Sequence, residues 1–287
     1  AMGRHSAKER RNKLSSIREI GTGENHFTCR AVKTEIDGAL GAHGAWLLEP
    51  YTDKPQFYGQ NTTEISEVET IAQMAYDNDM QLCVHAIGDR ANKETLDIIE
   101  SYSKKSNKDL RWRVEHAQHL NPNDINRFKE TGAIASMQGI HCTSDAPFVV
   151  KRLGDVRAKV GAYAWKTLLK NDVIVVNGTD VPVESINPFE NFYASVTRKR
   201  IDSGMPFFVE QRMTREEALR SYTIDAAYGA FEEDIKGSLE VGKLADIVIL
   251  DKNLLTCDDQ EIPSTKVLYT IVGGKVKYSD SGNPDFK

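Results

Sequence analysis

Four side chains stand at or just past the C-terminal ends of short apolar runs, where α/β enzymes place their chemistry. They are Lys33 in AVKTEIDGALG, His85 in LCVHAIGDR, His116 in RWRVEHAQH and Asp180 in VIVVNGTDVPVES. Imidazole nitrogen and carboxylate oxygen are ligand types suited to zinc or another divalent transition ion. Two histidines on successive strands and an aspartate from a later one converge on one face of a sheet without any local spacing. The set predicts a hydrolytic metal site: the ion lowers the pKa of a bound water and polarises the scissile carbonyl, and Asp180 takes and returns a proton. Each member also has a plain structural reading. A strand-end histidine is more often a hydrogen-bonded core residue, Asp180 can cap a turn before Pro182, and an isolated Lys33 is commonly a snorkelling or salt-bridged lysine.

Positioning such residues requires strands that end together. Apolar, β-branched runs at Ala31 to Ile36, Leu82 to Ala86, Arg111 to Ala117, Ala133 to Met137 and Val173 to Asn177 alternate with helix-period segments such as Ile65, Val68, Ile71 and Met74. This is the pattern of βα units around a parallel sheet. Thr214 followed by Glu217 reads as a capping box opening a later helix. From Gly237 onward, GSLEVGKLADIVILD and KVLYTIVGGKVKY read as short antiparallel strands, the second pair turning at Gly273-Gly274. A closed (β/α)8 barrel needs eight parallel strands in about 250 residues. Five strands before an appended β-unit leave either an open α/β sheet or a barrel whose front is not in this chain.

The 287 residues, 40% of them hydrophobic, suffice for one large or two ordinary domains, and a net charge of −5 argues against nucleic acid or an anionic membrane as principal partner. The cysteines Cys29, Cys83, Cys142 and Cys257 form no CxxC pair, which argues against a zinc ribbon or a disulfide framework. No run approaches the roughly 20 apolar residues of a spanning helix. A cytoplasmic location is the expectation. The basic run 1–13 (AMGRHSAKERRNK) reads as a solvated tail, a helix start or an expression scar.

VKxxxDGALGxxGAxLLEPY, HAIGDRA, RVEHAQ, ASMQ-x-x-H-x-TSD and GTDxPVxxxNPF, in that order, resemble the motifs of amidohydrolase family 3, the YtcJ-like group, and GSLEVGKLADIVILD resembles the C-terminal signature of the wider superfamily. The resemblance covers about residues 31–278. It implies a partial metal-dependent-hydrolase (β/α)8 barrel, strands four to eight, over 31–236, preceded by a tail or helix over 1–30 and followed by part of a β-sandwich over 237–287. It further implies that Lys33 is a carboxylated bridge between two metal ions, that His85 and His116 ligate one ion, and that Asp180 ligates the other. A lysine buried among apolar strand residues has its charged form disfavoured, so its amine can add carbon dioxide and become a metal-stabilised carbamate. His141, in MQGIHCTSD, matches a family position near the substrate, where it holds a carbonyl or leaving group or makes a structural hydrogen bond. His119 reads as a supporting or helix-face residue, and Asp89 with Arg90 as a helix cap and ion pair.

The family's His-x-His pair has no counterpart: the upstream histidines are His5 and His26 alone. The expectation is a hydrolase of non-peptide C–N bonds, with one or two divalent ions (zinc by ligand type), whose chain is a fragment with an incomplete site and little activity by itself. The alternative is a non-catalytic truncated homologue acting as a binding or interaction module. A third reading is an unrelated open-sheet α/β binder. Expected partners are a small amide-like substrate and further copies of the chain, through open sheet edges.

Overall fold

The computed structural model describes Leu14 and residues 16–280. The basic run 1–13 lies outside the described residues. The described part of the expected tail contains a short antiparallel ribbon, Glu19–Gly21 against Phe27–Cys29. The described residues pack as two compact units, one of those up to 137 and 145–174, the other of residues 138–144 and those from 175 on.

The first unit is built on parallel strands β1 (Ala31–Glu35), β2 (Gln81–Ala86), β3 (Arg113–His116) and β4 (Ile134–Met137), hydrogen-bonded in sequence order. Helix α1 (Ile65–Asp77) joins β1 to β2, and α2 (Asp89–Ser103) joins β2 to β3. In α1 the apolar residues Val68, Ile71, Ala72 and Met74 recur at helical spacing and are buried; in α2 the same role falls to Leu96, Ile98, Ile99 and Tyr102. Helix α3 (Ile125–Thr131) leads into β4. Register fixes which side chains share a sheet face. Lys33, Cys83 and Arg113 are aligned, and Glu35, His85 and Glu115 form the next row two residues on.

The second unit contains β5 (Val175–Asn177) and α7 (Pro188–Thr197), followed by α8 (Arg215–Tyr222) and α9 (Ile224–Gly229). Helix α4 (Gly139–Leu153) contributes its first turns here and its remainder to the first unit, which also holds α5 (Asp155–Gly161) and α6 (Trp165–Lys170). The capping box expected at Thr214 and Glu217 is formed in both directions. A three-stranded antiparallel sheet, in the order β8 (Lys275–Ser279), β7 (Val267–Val272), β6 (Ile247–Leu250), closes the chain. Its hairpin turns at Gly273 and Gly274, whose φ values of 55° and 75° are the left-handed geometry a two-residue turn requires.

The α/β architecture with a parallel sheet agrees with the sequence reading. All five expected strands form, with ends shifted by at most two residues. No helix among the described residues is long and apolar enough to cross a membrane.

Candidate metal centre

Within the first unit, His85 is the fifth residue of the six in β2, and His116 is the last residue of β3. Strict alternation would send them to opposite faces, because His116 is aligned with Ala86 rather than with His85. The left-handed backbone at His116 (φ 77°) and Ala117 (φ 44°) breaks that alternation. The two rings meet edge to face with centroids 4.5 Å apart. Left-handed conformations are uncommon outside glycine, and held strain of this kind is concentrated at functional sites.

Asp37, two residues past β1, lies beside His85. Its carboxylate accepts from Trp46 N (2.8 Å), Ile87 N (2.9 Å) and Gly88 N (2.8 Å), and Oδ1 lies 3.7 Å from His85 Nε2. Burial pushes the Asp37 carboxyl up to about 7, against the three N–H groups that favour its charged form. Gly88 is required here, since a Cβ on it would stand 2.0 Å from Trp46 O. Sequence reasoning missed Asp37. The signal available was an acidic residue directly before the glycine-rich stretch, a few residues past the strand bearing Lys33.

Lys33 lies in the middle of β1 on the sheet face that carries His85 and Glu115. It is exposed, which corrects the expectation of a lysine buried among apolar residues. The strand alternates, so Val32 and Thr34 are buried and Ala31, Lys33 and Glu35 are not. Behind it Arg113 Nε donates to Glu115 at 2.7 Å. Burial would raise Glu115, yet the Arg113 guanidinium and the Ser136 hydroxyl hold it below the usual carboxylate range.

In the second unit, His141 sits in the first turn of α4 and Asp180 three residues past β5; His141 Nε2 is 3.8 Å from Asp180 Oδ2, too far for a hydrogen bond. Asp180 is also left-handed (φ 59°). The start of α4 is clamped. Gly139 N donates to Asn177 Oδ1 (3.0 Å), Ile140 N donates to Asn191 Oδ1 (2.6 Å), and a Cβ on Gly139 would lie 2.1 Å from Ser195 Oγ.

The remaining expectations divide. Asp89 is no side-chain cap of α2. Its Oδ1 instead accepts from Leu48 N at 2.8 Å, because Gly88 holds the N-cap position and Asp89 is the first helical residue. Arg90 does pair with Glu94 (3.0 Å) and also stacks over Trp46. His119 lies on no helix. It bridges to Ala162 and packs edge-on against Tyr163, 2% exposed, with neither ring nitrogen hydrogen-bonded; burial and the Arg157 charge push its imidazole down to about 3.

The donor types are those that divalent ions prefer. Two imidazoles brought together at strand ends, with a lysine on the same sheet face and a carboxylate in contact with one ring, are the nitrogen and oxygen set such ions prefer. Paired histidines at the ends of parallel strands are a pattern that metal sites use, and comparison with known proteins identifies the family. The amidohydrolase family model matches residues 4–278, and the chain belongs to that family. It is 38% identical over 248 residues to the Protein LONG AFTER FAR-RED 3 of Arabidopsis thaliana (86% of this chain, 42% of that protein). It is 30% identical over 253 residues to the putative amidohydrolase YtcJ of Bacillus subtilis (88% and 47%). To the N-substituted formamide deformylase of Arthrobacter pascens it is 28% identical over 226 residues (78% and 41%). Among solved structures, an uncharacterized metal-dependent hydrolase from Pyrococcus horikoshii matches with a TM-score of 0.78 and 31% identity, covering 88% of this chain and 50% of that one. The chain thus spans less than half the length of the curated relatives it matches.

Proposed function

We propose that the chain carries part of the metal site of a hydrolase that cleaves the C–N bond of a small non-peptide amide. The observation that carries this reading is the His85–His116 pair, turned onto one face by left-handed backbone at the end of β3, in a member of the amidohydrolase family. The formamide deformylase among its relatives gives the substrate class its support.

In this reading Lys33, or its carbamate, joins His85 and His116 at one divalent ion, and Asp180 serves a second. Zinc suits the donor set. The ion, when bound, supplies Lewis acidity toward the carbonyl and lowers the pKa of water. The chain's own residues do the rest. Asp37 ties together the segments that follow the strands carrying Lys33 and His85, and its carboxylate lies 3.7 Å from His85 Nε2, within electrostatic reach. Asp180, its side chain about a third exposed, takes the proton that the attacking water loses and returns it to the departing nitrogen. His141 stands beside it to hold the carbonyl oxygen or the leaving group.

The domain reading follows the same line: a partial barrel over 31–236 and a β-sandwich portion over 237–287. Strand β1 pairs only with β2 among the described residues, so its other edge is where copies of the chain are expected to associate. Assays on N-substituted formamides with added zinc, manganese and bicarbonate test the reaction. Little turnover is expected from this chain alone, and any turnover present should vanish in Asp180→Ala. Activity that survives Asp180→Ala would remove Asp180 from the proton-transfer role.

A further inference from the structure

Two polar pairs run side by side in the second unit. His141 faces Asp180, and one helical turn further along α4 the Ser144 hydroxyl donates to Glu184, which follows Asp180 by four residues. Past this second pair opens a cavity of about 150 Å³ lined by Ser144, Glu184, Glu190, Tyr193, Lys199 and Arg200.

The charges lining it are unequal in what they can offer a guest. Arg200 is already committed: its fork meets Asp202 at 3.0 and 2.6 Å, and Nη1 donates to Thr143 O (3.0 Å) and Ser144 O (3.3 Å). Arg200 and Asp202 cancel. Glu184 and Glu190 are half-buried, whereas Lys199 is exposed and its charge is screened by solvent. Tyr193 is 3% exposed, lines the cavity, and its hydroxyl makes no hydrogen bond among the described residues. A carboxylate guest would face two partly desolvated carboxylates, while an ammonium or guanidinium would meet two acceptors of opposite charge and a phenolic oxygen.

We propose that this cavity binds a small organic cation, a primary amine or guanidine, and that it thereby selects amides carrying such a group on the part that does not react. The place of the cavity in the reaction rests on the hydrolase reading above; cation binding itself does not. Glu190 and Glu184 take the charge, and the Tyr193 hydroxyl accepts one N–H.

The test is an NMR titration of the chain with n-butylamine, butyrate and n-butanol, which needs neither metal nor turnover. Saturable shifts at Glu190 and Tyr193 are expected with butylamine alone. Glu190→Gln and Tyr193→Phe should each weaken it roughly tenfold. Lys199→Gln, at an exposed position whose charge solvent screens, should leave it within about twofold. Butyrate binding as strongly as butylamine, or butylamine affinity indifferent to Glu190→Gln, would overturn the proposal. A chain that binds butylamine as described but holds no metal would contradict the hydrolase reading and leave the cation site standing.

Discussion

His85 Nε2 and Asp37 Oδ1 lie 3.7 Å apart, and the same Asp37 carboxylate collects three backbone N–H groups from the segments that follow β1 and β2. One buried side chain therefore ties the loop after β1 to the turn after β2, the strand that carries His85. Asp37→Ala leaves three donors without an acceptor, at a cost of about 3 kcal/mol or more. Urea unfolding should show that loss, and an unchanged midpoint would deny Asp37 its clasping role.

A second expectation concerns acid. The unfolded chain binds a proton at His119 below its ordinary 6.5, while the folded chain does so only near 3. Between these values the unfolded state holds more protons, so stability falls as pH drops from 6.5 toward 3, by up to ~1.4 kcal/mol per unit. Above 6.5 this contribution is fully present. His119→Leu should flatten the slope of urea stability against pH between 6 and 4, and parallel curves for the two proteins would contradict the assignment.

The start of α4 offers a packing test. A methyl group at Gly139 would press on Ser195 Oγ at 2.1 Å and Asn191 O at 2.8 Å, displacing the turn that carries His141. Gly139→Ala should cost about 1–3 kcal/mol, read as a lowered melting temperature. Wild-type melting would mean that the α4 start has slack that the close contacts do not suggest.

Lys33 gives a chemical prediction. A free carbamate loses carbon dioxide readily and a metal-bound one does not, so metal occupancy should rise with bicarbonate in the wild-type chain. In Lys33→Ala it should stay flat and lower. Equal occupancy in the two proteins at every bicarbonate level would end the bridging role.

Much of this arrangement was legible from local pattern. Short apolar, β-branched runs located the five strands, helical spacing located α1, and the reciprocal bonds of Thr214 and Glu217 were visible in four residues of sequence. His85 and His116 stood out because residue type and strand end coincide. What stayed hidden depends on partners remote in sequence or on backbone detail. Asp37 meets Ile87 fifty residues away, and Ser144 meets Glu184 forty residues away. The turn that brings His116 round to His85 is a left-handed φ at a non-glycine residue, which no propensity announces. Lys33 shows the limit of reading burial from neighbours in sequence: Val32 and Thr34 are buried, and alternation alone leaves Lys33 exposed between them.

The central claim is that His85 and His116 hold a metal ion. Elemental analysis after dialysis against zinc, on wild type and on His85→Ala with His116→Ala, measures it directly. The account predicts about one tightly bound divalent ion per chain in the wild type and essentially none in the double variant. Undiminished binding in the double variant, or a wild-type chain that retains no metal, would contradict it.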